Sequence, residues 1–412
     1  MSIRPVRAWL YAVLALGSVA AHSQVGGDAQ SPPPRGGVSS AGAFNPAVSL
    51  ILSGTYANLS RDPNDYRIRG FLTNREVGPG PRGFNLGESE LGVAANIDPA
   101  FYGAANISLT PEGHADVEEA FVQTTSLGQG FTVKFGRFFS GIGYLNEQHA
   151  HTWDFVDNPL AYQAFLGTQL GQDGIQVRWL APTPVFLEFG AEVGRGQNFP
   201  GAGRDTNGAG ARAAFAHAGG DWGDSNSWRA GISYLQASPR DRASDTIDLA
   251  GNTVTNAFSG TSRLWVADFV WKWAPNGNPA RQNFKVQAEY FSRRERGSLT
   301  FDTSGVAATD VYSSRQSGAY VQAICQFLPR WRTGVRYDRL DSGSADFAGN
   351  AAFLDASTTH PSRVTWMTDF NPSEFSRIRL QLARDQARVG KADNQVFVQY
   401  QMSLGAHGAH NF

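Results

Sequence analysis

Residues 261–273 read TSRLWVADFVWKW. Side chains alternate faces along a strand, so Trp265, Phe269, Trp271 and Trp273 fall on one face if this stretch is extended. From Trp265 to Trp273 the chain covers about 27 Å as a strand and roughly 20 Å along a membrane normal once tilted. One face of one strand can therefore reach both aromatic girdles of a bilayer. Composition points the same way. Charged residues are 17% of the chain, against about 25% in ordinary soluble domains. Glycine stands at 46 and aromatics at 12%, a profile of strands with aromatic bands rather than helices with charged faces.

Outward from this stretch the period of two recurs. Val48, Leu50, Leu52 and Tyr56 share a face near the start, as do Leu91, Val93, Ala95 and Ile97 further on, with Glu88 and Glu90 opposite. The pattern continues through 101–110, 115–126, 130–138, 172–181, 184–194, 208–218, 226–238, 260–274, 281–297, 313–328, 330–341, 361–371, 374–388 and 393–412. It predicts an all-β fold, a transmembrane antiparallel barrel of about sixteen strands. The connections sort by parity. Those after even-numbered strands are tight and carry Pro or Gly, as at Asp98-Pro99 and Leu328-Pro329; those after odd-numbered strands are mostly long, as at 59–83, 139–171 and 342–360. The exceptions are short connections at Pro111–His114 and Val389–Ala392. Short periplasmic turns alternating with long extracellular loops are the outer-membrane arrangement.

Both ends of the chain agree with export. Arg4 and Arg7 precede an apolar core from Ala8 to Ala21 and small-residue cleavage frames, so residues 1–23 read as a secretory signal peptide. Residues 24–43, with Pro32-Pro33-Pro34, read as a disordered periplasmic leader, and 44–412 as the barrel. No later segment offers the roughly 20 consecutive apolar residues of a membrane helix. A lone Cys325 excludes an internal disulfide, so a hydrogen-bonded framework must hold the fold. Val396, Val398, Tyr400, Met402 and Leu404 alternate toward Phe412, which keeps their parity. Such a terminal aromatic resembles the signal read by the barrel-assembly machinery. Net charge is 35 − 36 = −1, or 33 − 36 = −3 without Arg4 and Arg7. Nothing there asks for nucleic acid as a partner; the expected partner is outer-membrane lipid.

The longest segment without clean alternation is Arg137–Gly171. It carries seven aromatics (Phe138, Phe139, Tyr144, Trp153, Phe155, Tyr162, Phe165) interleaved with Glu147, His149, His151, Asp154 and Asp157. So aromatic a loop needs somewhere to pack, and a loop this long in a compact fold is usually functional. It is expected to fold into the lumen as the pore constriction. If apolar residues face lipid, the other parity lines the lumen. That predicts a pore wall of Arg330, Arg332, Arg336, Arg363, Arg377 and Arg379, with Lys134, Arg178, Arg229 and Lys285 elsewhere and Glu88, Glu90, Glu188, Glu192, Glu289, Asp338 and Asp369 among them. Acidic groups on the loop opposite these arginines would set a transverse field. The alternative is that the charges pair and only rigidify the wall. Glu147, His149 and His151, spaced i, i+2, i+4, could hold Zn²⁺; otherwise the histidines pack within the loop. No Ser/His/acid grouping suggests an enzyme, and no resident cofactor is expected.

At RFFSGIGYLNEQHAHTWDFVDNPLAYQAFLG (137–167), NPSEFSRIRLQLARDQ (371–386) and VFVQYQMSLGAHGAHNF (396–412) the chain resembles a proteobacterial outer-membrane family, over nearly its whole mature length. Its members are often labelled zinc-regulated or TonB-dependent outer-membrane receptors. The resemblance implies a barrel concerned with transport, including the alternative of a gated receptor for a metal or its chelate. A TonB-dependent transporter joins a plug to a barrel of about 22 strands, for which this chain is too short. Sixteen strands with an inward loop are instead similar to porins, which implies passive diffusion of small hydrophilic solutes or ions and a homotrimer.

Overall fold

A computed structural model describes residues 46–405, apart from 75–76, 111–112, 204, 389 and 391. The signal peptide, the leader, Phe412 and the terminal histidines lie outside the described residues. The strands are β1 (Ala47–Leu59), β2 (Gly83–Asn85), β3 (Ser89–Asp98), β4 (Phe101–Leu109), β5 (Ala115–Thr124) and β6 (Phe131–Phe139). After the inserted loop come β7 (Gly171–Leu180), β8 (Phe186–Gly194), β9 (Ala211–Trp222), β10 (Asn226–Ala237), β11 (Arg242–Ile247) and β12 (Thr253–Trp273). The last six are β13 (Asn283–Phe301), β14 (Ala308–Leu328), β15 (Trp331–Asp346), β16 (Ser362–Ser373), β17 (Ser376–Asp385) and β18 (Asp393–Gly405).

Every pairing is antiparallel, and the ring closes where β1 meets β18, from Ser49↔Gly405 to Leu59↔Gln395. Two strands are accessory: β2 covers part of β1, and β11 pairs with the upper end of β12. The other sixteen form a closed barrel. Closure removes the unpaired edge that a spanning sheet could not tolerate in lipid. The outward face is the apolar one, with Trp265 53%, Phe269 41%, Val398 44% and Tyr400 44% exposed.

Two features differ from the sequence expectation. First, β12–β15 run further past the lipid belt than expected, converting parts of 239–259, 298–312 and 342–360 into strand. Their inward residues Phe258, Leu299, Phe301 and Tyr312 pack with Leu72, Phe347 and Leu354, which gives the extensions a small core of their own. Second, Arg330 is not on the wall. It sits exposed in the turn between β14 and β15 at φ 71°, and its carbonyl accepts from the Asn371 N–H at 2.8 Å. Parity fails there because the turn ends the alternation.

A loop held across the lumen

Residues 140–170 leave β6 and turn inward. A short 3₁₀ turn (Ala150–Thr152) is followed by α1 (Leu160–Leu166), which Pro159 precedes and Gly167, left-handed at φ 66°, ends. All seven helical residues are buried. They pack on inward side chains of the wall, including Phe215, Leu264, Val266, Phe291 and Leu340. The lumen is thus apolar where the helix lies, a departure from the uniformly polar wall that alternation implied. Phe165 stacks on Phe291 with centroids 5.8 Å apart, and Tyr162 meets the same ring edge-on at 5.1 Å.

Polar contacts fix the loop around the ring. The Ser140 hydroxyl and the Gly141 N–H donate to Glu192 on β8 at 2.6 and 2.8 Å. The Tyr144 and Leu145 N–H groups donate to Glu289 on β13 at 3.0 and 3.2 Å, and the hydroxyls of Tyr162 and Tyr320 bind the same carboxylate. Gly143 makes this approach possible. Its φ is +69°, and a Cβ there would lie 2.4 Å from Glu289 Oε2 and 2.9 Å from the Tyr162 hydroxyl. Further along, the Leu160 N–H donates to Asp338 on β15, and Arg293 on β13 donates to the Ala164 carbonyl. His149 Nε2 lies 3.0 Å from the Asn106 amide on β4. In the ring of sixteen β4 is third and β13 eleventh, so the loop is fastened to facing walls and crosses the lumen.

On β15–β17 the fastening is cationic. Arg363 binds Asp157 Oδ2 and donates to the Asn158 carbonyl; Arg336 reaches Asp157 Oδ1 at 3.1 Å and Asp338 Oδ2 at 3.1 Å. Arg379 grips Asp369 at 2.7 and 2.9 Å and the Trp153 carbonyl at 2.9 Å. Asp154 is held by Lys285 at 2.5 Å and by Arg332 at 3.4 Å. Arg377 donates to the carbonyl of His151 at 3.1 Å and to Gln401 at 2.5 Å. Burial pushes the Asp157 carboxyl up, but Arg363 and then Arg336 outweigh it and hold the group below the ordinary carboxylate range. Arg336, Arg363 and Arg379 are each at most 2% exposed.

On β3–β5 the fastening is anionic. His149 Nδ1 lies 3.2 Å from Glu90 and 3.1 Å from Glu118, and its Nε2 lies 3.1 Å from Glu119. His151 Nδ1 is 3.0 Å from Glu90, and the two imidazoles stack at 5.7 Å. Glu88 adds a fourth carboxyl, hydrogen-bonded to Glu118. Ligand atoms of Glu90, Glu118 and His149 all lie within 4.8 Å of one another. Burial opposes a charge on the His149 ring, but Glu90 and the hydrogen-bonded Glu118 and Glu119 prevail and raise it well above its ordinary value.

Of the sequence-derived residues, the structure brings Asp154 and Asp157 onto Arg332, Arg336 and Arg363, and Arg377 and Arg379 onto loop carbonyls. It separates Glu147 from the histidines. Glu147 pairs with Arg178 on β7, because the intervening chain turns toward 3₁₀ instead of staying extended. The partners of His149 are wall carboxylates that local spacing could not find. The first long connection also folds inward: Tyr66, Ile68 and Phe71 are buried in the same core, Phe71 lies edge-on to Phe165 at 5.7 Å, and Tyr66 donates to Asp385. The apolar spacing Tyr66, Ile68, Phe71, Leu72 was its only signal.

No protein-family model matches the chain. A protein of Aquifex aeolicus (strain VF5), described as uncharacterized, is 33% identical over 395 residues, which cover 90% of this chain and 80% of that one. The chain belongs to the family of that Aquifex protein. Among solved structures it is similar to OmpT of Vibrio cholerae with loop L8 deleted, at a TM-score of 0.56 and 12% identity over 87% of this chain and 99% of that one. It is also similar to the outer-membrane channel DcaP of Acinetobacter baumannii (0.51, 12%, 87% and 96%). An anion-selective porin from Comamonas acidovorans gives 0.51 at 10% identity, covering 87% and 99%. At such identities the likeness is one of fold. The fold is that of porin-type outer-membrane barrels, and the protein belongs in the outer membrane of a Gram-negative cell.

Proposed function

We propose that this outer-membrane barrel is a passive channel for small hydrophilic solutes or ions, with the inserted loop as its constriction, and that it is not an enzyme. The observation that carries the reading is the attachment of residues 140–170 to facing walls of a sixteen-stranded ring. A barrel of that size encloses space beyond what its own side chains fill, and the loop decides how much of it stays open. Conductance and reversal potential of the purified protein in planar bilayers test this. Discrete ohmic conductance in wild type is expected; a bilayer left silent by well-folded protein contradicts it.

A finer reading concerns the ions. Carboxylate oxygens with imidazole nitrogen suit Zn²⁺ or a similar divalent cation. Glu90, Glu118 and His149 offer that donor set at the constriction, with Glu88, Glu119 and His151 around it. A divalent cation bound there would join loop to wall, as a passing ion or as a blocker. Micromolar Zn²⁺ is therefore expected to reduce the conductance of wild type and to leave the His149→Ala/His151→Ala variant unaffected. A homotrimer fits this reading too, since OmpT of Vibrio cholerae has a structure described as a trimer form; chemical cross-linking in native outer membranes tests it.

A further inference from the structure

Arginines occur on both faces of the long strands, and among the described residues the inner ones, such as Arg293 and Arg336, are partnered. Arg293 points inward and is fully buried, whereas its neighbour Arg294 points outward and is exposed. Arg294 pairs directly with Arg263 on β12 and with Arg315 on β14. Three exposed guanidiniums thus stand side by side on three adjacent strands, with Arg296 one outward position further on. Like charges directly across a ladder are destabilising. Adjacent strands are about 4.8 Å apart, inside the roughly 8 Å screening length at physiological salt. Among the described residues none of the three makes an ion pair. The row is a concentrated positive charge on the outside of the barrel, toward the long-loop end.

Immediately toward the membrane the outward positions mix small and aromatic side chains, with Trp265 opposite Ser292. Ser292 and Ser317 are opposite each other one outward position down. Below them a groove of about 420 Å³ opens on the outer surface, with Ala267, Ala288 and Ala319 among its lining and Phe269, Tyr290, Val321 and Tyr337 beside them. The small side chains leave a groove between aromatic ridges two outward positions below the arginine row, with Arg339 opposite Ala319 on its β15 side. Guanidiniums recognise phosphate through paired N–H donors, and an apolar groove receives an acyl chain.

We propose that this face binds a lipid bearing more than one phosphate and several acyl chains, held in the outer leaflet with its phosphates on Arg263, Arg294 and Arg315 and a chain in the alanine groove. Phosphate alone would use the arginines and ignore the groove; a second protein copy would use the groove and gain nothing from three facing arginines. The experiment is native mass spectrometry of the purified full-length protein in detergent, titrated with bisphosphorylated lipid A, with phosphatidylglycerol and with inorganic phosphate. Lipid A is expected to bind at least tenfold more tightly than phosphatidylglycerol and to resist competition by inorganic phosphate. The Arg263→Gln/Arg294→Gln/Arg315→Gln variant should lose at least tenfold of that affinity with its bilayer conductance unchanged. Ala319→Trp, which fills the groove and leaves the arginines, should weaken lipid A and not phosphate. Equal binding of lipid A by wild type and the triple variant, equal binding of the two lipids, or loss of oligomers in the triple variant would each overturn the proposal.

Discussion

The two walls that hold the inserted loop use opposite charges and come out differently balanced. On β15–β17 the guanidiniums of Arg332, Arg336, Arg363 and Arg379 meet Asp154, Asp157, Asp338 and Asp369. Each of these has a counter-charge and the array is buried, while Arg377 beside it is held by the His151 carbonyl and Gln401. On β3–β5 and the residue before them, Glu88, Glu90, Glu118 and Glu119 surround the two imidazoles of His149 and His151. Four carboxyl groups face two imidazoles, with Lys134 of β6 near Glu119. The first wall is a lock of matched charges; the second is a lock with the donor set proposed above for a divalent cation. Removing a charge should therefore damage structure on one side and ion response on the other.

The largest effect is expected at Asp157. Asp157→Leu takes one carboxylate from both Arg336 and Arg363 and leaves them to share Asp338, and breaking a buried pair from one side costs about 3–5 kcal/mol. Urea unfolding in detergent should show that loss, with protease cleavage appearing within 140–170; a shift below about 1 kcal/mol would mean the pairs are loosely solvated. On the other wall, Glu90→Gln/Glu118→Gln should cost less in unfolding than Asp157→Leu and weaken Zn²⁺ block by at least about tenfold, the scale set by disturbing ligand shells. Zinc titration of single-channel current checks this, and an unchanged block would remove the metal from that wall.

Between the walls, Gly143→Ala should cost roughly 1–2 kcal/mol for the left-handed backbone alone, with further loss from displacing Glu289. Equilibrium unfolding measures it, and a neutral result would show that the Glu289 contact is dispensable. The smallest effect is in pH. The His149 ring is raised, so its stabilising contribution is fully present below the ordinary histidine value and fades as pH rises through the raised value. Protease nicking of the loop should increase across that alkaline window in wild type and stay flat in His149→Ala. Zinc should run the other way and bind better as the ring loses its proton.

The barrel was legible because alternation is a local signal repeated along the chain. All sixteen wall strands lie where period two placed them, including those on either side of the two short odd connections. The inward course of 140–170 was legible from its aromatics alone. What local pattern could not supply was partnership. His149 finds Glu90, Glu118 and Glu119 across gaps of tens of residues, and Glu147 leaves the histidines because one 3₁₀ turn rotates the chain between them. The arginine strip and the inward Asp338 and Asp369 were seen, but their charge balance depends on where the loop aspartates land. Arg330 was misplaced by extending a parity one residue into a turn.

The loop's passage across the lumen is tested most directly by single-channel conductance of a variant lacking residues 147–157, compared with wild type in the same planar bilayer. That deletion removes the attachments to β3–β5 and most of those to β15–β17 together. Circular dichroism and heat-modifiable migration identify correctly folded barrels before the comparison. Conductance several-fold above wild type, with Zn²⁺ block gone, is the expected result. A folded deletion variant that conducts no more than wild type would mean that residues 140–170 do not set the width of the pore.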